Sequence, residues 1–130
     1  MKALQHLLCL IVFLLLFSCS EYGKKLQYDK TEIYYTDLVE KEEAEKLGDF
    51  LVSSKFAGEN EKSVQLSKNK ENNHYQFRMV TTTDAAESET YEAIFKMFAQ
   101  QLSDSVFNKQ PVDFHVCDTT FQTLKVITFK

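Results

Sequence analysis

The chain has 130 residues, and it is short of the residues that usually punctuate or cross-link a fold. Proline occurs once, at Pro111, and glycine three times. No Pro-rich linker, low-complexity tract or internal repeat is present, so nothing divides the chain into separate domains. The three cysteines form no CxxC pair, and no HExxH or spaced His/Cys set accompanies them; a zinc site has no sequence support, and no metal or cofactor is expected. Basic residues number 15 against 19 acids, for a formal net charge of −4, without a Lys/Arg cluster. That pattern lacks the electrostatic footprint of nucleic-acid binding and of a polybasic patch for anionic lipids, so neither partner is expected.

What is present begins at the N-terminus. Lys2 precedes eleven uninterrupted apolar residues, Leu7 to Phe17, and these lead to Ser18-Cys19-Ser20. A positive start, a short apolar segment and a small residue before the break are the parts of a secretory signal peptide. The run is too short to span a membrane, which takes about 20 apolar residues. Leu16-Phe17-Ser18-Cys19 resembles the lipobox of bacterial lipoproteins. The resemblance implies that residues 1–18 are removed and that Cys19 carries the acyl chains, palmitate among them. Phe17 is bulkier than the residue usual at its position. Ser20, rather than Asp, after the cysteine implies the outer membrane. Two or more chains anchor stably without any spanning helix.

Removal of residues 1–18 would leave 112 residues with a formal charge of −5, because Lys2 is the one charged residue lost. Residues 19–25 then form the lipidated cysteine and a polar tether, and residues 26–130 a single domain. Cys9 would leave with the signal and Cys19 would be used by the lipid, so Cys117 stands alone. An unacylated Cys19 could instead pair with Cys117 in an oxidising compartment.

Periodicity within the domain alternates between strand and helix. Residues 26–36, rich in Tyr, Ile and Thr, read as one strand. Residues 38–54 carry Ala44, Leu47, Gly48 and Leu51 at helical spacing; a glycine on that stripe implies close approach of the helix to the sheet. The acidic run Glu40 to Glu45 lacks calcium-loop spacing and reads as a solvated helix face. Residues 63–67 and 74–82 alternate at period two and are joined by the Asn-rich Lys68 to Asn73 loop. Tyr91, Ile94, Phe95, Phe98, Leu102 and Val106 mark one face of a helix over 87–107. Val112, Phe114 and Val116 alternate with Asp113, His115 and Cys117, and a β-rich run reaches Phe129.

The order β-α-β-β-α-β predicts an α+β, ferredoxin-like sandwich: an antiparallel sheet in spatial order 4-1-3-2, two helices on one face, and an extra C-terminal strand. Phe77 and Phe114 fall on the covered face, beneath helices bearing Leu47 and Phe98. Glu32, Tyr34, Gln65, His74, Gln76, Arg78, Asp113, His115 and Cys117 fall on the other, where Arg78 and His115 are expected to stay accessible. Strand 1 between strands 3 and 4 would gather Glu32, Tyr34, Arg78 and His115 into a binding face. The plainer reading of that face is a solvated surface with scattered ion pairs, each contributing about 0.2–1 kcal/mol.

Two classes of function follow. The first is a non-enzymatic envelope module that binds a protein or small ligand through that face. The second is a thiol-dependent enzyme using Cys117 and His115, although side chains two apart on a strand lie roughly 6–7 Å apart. A structural accessory of an envelope complex is a third reading. Tyr34-Tyr35-Thr36, Glu43-Ala44 with Leu47-Gly48, Val64-Gln65-Leu66, Phe77-Arg78 and His115-Val116-Cys117-Asp118 give the domain a resemblance to small modules of uncharacterised bacterial envelope proteins. The resemblance implies an envelope location and carries no activity, so no catalytic residue is assigned.

Overall fold

A computed structural model describes residues 21–129. The signal segment, the lipobox and Cys19 lie outside the described residues. Among the described residues six strands and three helices run in the order β1 (Lys24–Tyr28), β2 (Thr31–Tyr35), α1 (Lys41–Ser53), β3 (Lys62–Lys68), β4 (Tyr75–Val80), α2 (Thr83–Glu87), α3 (Glu89–Ser105), β5 (Val112–Cys117) and β6 (Thr123–Ile127). They build one mixed sheet in the order β1-β2-β3-β4-β5-β6.

This corrects the ferredoxin-like expectation. β2/β3 and β4/β5 are parallel neighbours, the other pairs are antiparallel, and a third helix is present. The cause starts in residues 26–36, which are not one strand. Asp29 adopts φ +53°, a region aspartate tolerates better than most residues, and the chain reverses over Asp29-Lys30. Tyr28 then pairs with Thr31 and Leu26 with Ile33. This tight hairpin needs little loop-closure entropy. It fills the edge of β2 that a 4-1-3-2 order would give to the strand at Val112–Cys117.

The inner face is apolar in transverse rows. One row runs Lys24, Tyr35, Leu66, Phe77, Phe114, Ile127; the next includes Leu26, Ile33, Val64, Met79 and Val116. α1 and α3 both pack there. Phe95 stacks on Phe114 with ring centroids 4.4 Å apart, and Phe98 meets Phe77 at 5.4 Å and Phe56 at 5.2 Å. Phe77 and Phe114 are 0% and 1% exposed. Since β3/β4 is antiparallel, the two parallel pairs point in opposite directions while both crossovers lie on one face. The crossovers therefore have opposite hands, and one departs from the right-handed rule.

The helix expected over 87–107 is broken at Ser88, whose hydroxyl accepts from Tyr91 N–H and caps α3. Its buried stripe is Phe95, Ala99, Leu102 and Ser103, with Phe98 and Val106 packed against the core beside it; of the projected face only Tyr91 and Ile94 fall outside. Tyr91 and Ile94 are about half exposed, and Met97 is 66% exposed.

The acidic run is not wholly a solvated face. Glu43 Oε2 accepts from Glu40 N–H at 2.8 Å, while Oε1 accepts from the Tyr75 hydroxyl and lies 3.3 Å from Lys68 Nζ. Burial raises the Glu43 pKa, but the Tyr75, Glu40 and Lys68 contacts outweigh it and hold the carboxyl below its ordinary value. The first turn of α1 is thereby fastened to the β3–β4 hairpin.

Gly48 sits directly against the Tyr28 ring, which occupies the space where a Cβ would stand. Alanine would favour the helix by about 1 kcal/mol in isolation. Overpacking costs about 1–3 kcal/mol, so Gly48→Ala is expected to destabilise the domain on balance. In a Tyr28→Ala background the same substitution should become stabilising. Urea unfolding of the four proteins in this cycle measures the reversal; the same loss in both backgrounds would mean Tyr28 is not the obstacle.

Candidate functional site

The outer face is organised by the same register. Lys25, Tyr34, Gln65, Arg78, His115 and Val126 form one transverse row across all six strands. Tyr34, Arg78 and His115 are thus collinear, with Gln65 between Tyr34 and Arg78 because β3 separates β2 from β4. Glu32 belongs to the neighbouring row beside Ser63. Its Oε2 accepts from Tyr34 Oη at 3.2 Å and Ser63 Oγ at 3.3 Å, and Lys25 Nζ lies 3.5 Å from Oε1. The expected gathering of Glu32 with Arg78 and His115 is therefore corrected. Burial and the Glu32 carboxylate raise the Tyr34 pKa, which keeps the phenol as the donor.

The face is not open where it was expected to be. β5 is buried on both sides along its whole length, and His115 is 7% exposed. The cover is the turn from Asp118 to Gln122. Asp118 Oδ1 accepts from Thr120 N–H at 2.8 Å, Thr120 Oγ1 at 2.7 Å and Gln122 N–H at 3.0 Å, folding the turn back over the sheet. At its tip Phe121 takes φ +58°, unusual for a bulky residue, and is 6% exposed. Its ring meets those of Tyr22 at 5.1 Å and Tyr34 at 5.8 Å, and Tyr22 meets Tyr34 at 5.7 Å, all edge to face. Gln65 Nε2 donates to Tyr22 O at 2.8 Å and fixes that third ring. Beside Tyr22 and Gln65 lies an open cleft of about 650 Å³, lined also by Lys25, Thr36 and Asp37.

Arg78 is the charged centre of this arrangement. Nη1 donates to His115 Nδ1 at 3.2 Å and Nη2 donates to the Phe121 carbonyl, while Nε is buried without a partner. No carboxylate among the described residues lies within ion-pair distance of the guanidinium. Thr123 Oγ1 lies 3.0 Å from the same His115 Nδ1. Arginine only donates, so Nδ1 accepts and the imidazole proton resides on Nε2. Burial chiefly, with help from Arg78 and against Asp113, pushes the His115 pKa down to about 4. The ring is neutral at physiological pH.

Asp113 is occupied elsewhere: Oδ2 lies 3.1 Å from His74 Nδ1, and Oδ1 accepts from Phe129 N–H at 2.8 Å. Ser67 donates to Gln76 at 2.8 Å in the same outer row. Cys117 is fully buried and its Sγ donates to the His115 carbonyl at 3.7 Å. Burial raises its pKa against the opposing influence of Arg78 and Thr123. A protonated thiol beside an imidazole already turned to Arg78 and Thr123 supplies no activated nucleophile. Among the described residues no group of three or more His, Cys, Asp or Glu side chains could hold a metal ion.

Phe121 and Thr123 are the site residues that sequence reasoning missed. Phe121 lies in a turn without periodicity, and its role comes from a left-handed backbone that no local motif announces. Gln65 was placed on the correct face by its alternation, but nothing marked it as the neighbour of Arg78.

No curated protein and no solved structure matches this chain. Residues 25–128 match the AF_1994_N family model, described as a family N-terminal domain. The match takes in all of the sheet but Lys24, together with its three helices. The chain therefore belongs to the AF_1994_N domain family.

Proposed function

We propose that this is a lipid-anchored domain of the bacterial cell envelope that binds an anionic group of a protein or small ligand through Arg78. The observation that carries the reading is a half-buried guanidinium with a neutral carbonyl where a carboxylate would be expected, and with an unpartnered Nε. A buried donor left unsatisfied costs about 1–3 kcal/mol, so proteins rarely keep one without use. A carboxylate arriving there would gain charge-assisted hydrogen bonds, which are shorter and stronger than neutral ones. The neutral His115 supports the guanidinium without adding competing positive charge.

Arg78→Gln should abolish recovery of the bound partner while the thermal midpoint moves by only a few degrees. Retained partner recovery would remove Arg78 from the binding site. A collapse of the midpoint together with binding would show a structural role instead.

The anchor rests on Leu16-Phe17-Ser18-Cys19, with Ser20 favouring the outer membrane. Among the described residues no helix is long and apolar enough to cross a membrane. Mass spectrometry of the mature protein should find Cys19 at the N-terminus with acyl mass. A chain starting at Ser20 or Glu21 without that mass would refute the anchor.

A further inference from the structure

Resting on the Arg78 reading, we infer that Phe121 is an internal stand-in for the ligand, and that the ligand is the C-terminal carboxylate of a peptide ending in an aromatic residue. The geometry of the guanidinium leads there. Nε–H and Nη2–H point to the same side of an arginine and form the fork that grips both oxygens of a carboxylate. In this molecule one prong, Nη2, holds the Phe121 carbonyl, and the other, Nε, holds nothing. A backbone carbonyl has one oxygen and fills half the fork; a carboxylate has two and fills it.

The ring supplies the second half of the inference. Phe121 places its phenyl group in edge contact with Tyr22 and Tyr34 while its own carbonyl meets Arg78. A chain-terminal phenylalanine carries a ring and a carboxylate carbon at the same covalent separation, so it reproduces both contacts in one residue. Phe121 holds its place with φ +58°, a conformation that release would relax. The cleft beside Tyr22 provides room for the residues preceding the terminal one, between Lys25 and Thr36. The turn lies outside the sheet and is closed by Asp118 Oδ1 together with two backbone bonds, Asp118 N–H to the Gln122 carbonyl and Phe121 N–H to the Asp118 carbonyl, so the exchange has only these local bonds to open.

The test is titration calorimetry on the full mature protein with N-acetylphenylalanine, its amide, N-acetylalanine and the peptide acetyl-Ala-Ala-Phe. The acid should bind at least tenfold more tightly than the amide and than N-acetylalanine, and the peptide should bind more tightly still. Phe121→Gly removes the ring of the stand-in and suits the left-handed backbone, leaving only a carbonyl for the ligand to displace; it should tighten acid binding by tenfold or more. Should that variant not fold, Asp118→Ala, which keeps the ring and loosens the turn, should tighten binding severalfold. Equal affinity for N-acetylalanine, or unchanged or weaker binding in both variants, would make Phe121 ordinary packing and overturn the inference while leaving Arg78 an anion site. Equal affinity for N-acetylphenylalanine and the peptide would overturn the peptide assignment in favour of a free aromatic acid. Absence of Arg78-dependent binding by every carboxylate, in wild type and Phe121→Gly alike, would defeat the anion-site reading as well.

Discussion

Replacing Phe77 with alanine is expected to destabilise the domain by about 3–5 kcal/mol. The side chain is fully buried in the central row of the inner face, between Leu66 and Phe114 in register and against the rings of Phe56, Phe98 and Phe114. Those rings come from the α1–β3 connection, from α3 and from β5, so the space left by truncation is bounded by three separate parts of the chain. It cannot close by moving one of them. Domains of this size typically have about 5–15 kcal/mol in total, and the loss is a large share of that. Urea unfolding at fixed pH measures it. A loss under about 1 kcal/mol would mean that the inner face tolerates a void and that the aromatic cluster is not the core.

Lowering the pH from 7 to about 4 should remove on the order of 2–3 kcal/mol through His115 alone. The unfolded imidazole takes up a proton below its ordinary value of 6.5, whereas the folded one stays neutral down to about 4. Between those values the unfolded state binds more protons, so stability is complete above about pH 6.5 and declines as pH falls. Each unit of difference corresponds to about 1.4 kcal/mol. His115→Gln keeps an acceptor for Arg78 and carries no proton to gain. The difference between the wild-type and H115Q urea midpoints across pH 7 to 4 isolates this one group. The carboxyls of Glu92, held low by Lys125, and Asp118, held low by Thr120, are present in both proteins and titrate at the acid end of the window or beyond. Parallel pH profiles for the two proteins would show that His115 is solvated enough to protonate freely.

Much of the layering was legible in the chain, because alternation at period two assigns each strand residue to a face regardless of its neighbours. Val64, Leu66, Phe77, Phe114 and Val116 were placed together that way, as were Tyr34, Arg78 and His115 on the opposite side. Strand order was not legible. It depends on which edges are taken first, and the decisive event is a reversal at Asp29-Lys30 with neither glycine nor proline to signal it. The cover over the outer face was hidden for a related reason: Phe121 reaches Tyr34 and Arg78 by folding a turn back over the sheet, a contact between residues more than forty positions from their partners. Helix α3 misled in a milder way. Tyr91 and Ile94 fit an apolar stripe by spacing, yet the sheet meets the helix on the side of Phe95, Ala99 and Leu102.

The sequential strand order has a mechanical consequence. Lys24 and Ile127 stand in the same transverse row, one at each edge of the sheet, so the two chain ends leave from the same end of the molecule on opposite flanks. A load drawn between them acts across the strands, along the direction of the antiparallel hydrogen bonds. Such a pull opens the edge ladders one bond at a time, as a zip opens, instead of straining every bond of a ladder together. Resistance to tension would then fall to β1 and β6, each five residues long; Tyr22 and Thr123, beside or within those strands, would be pulled away first, and Arg78 on β4 would be disturbed last.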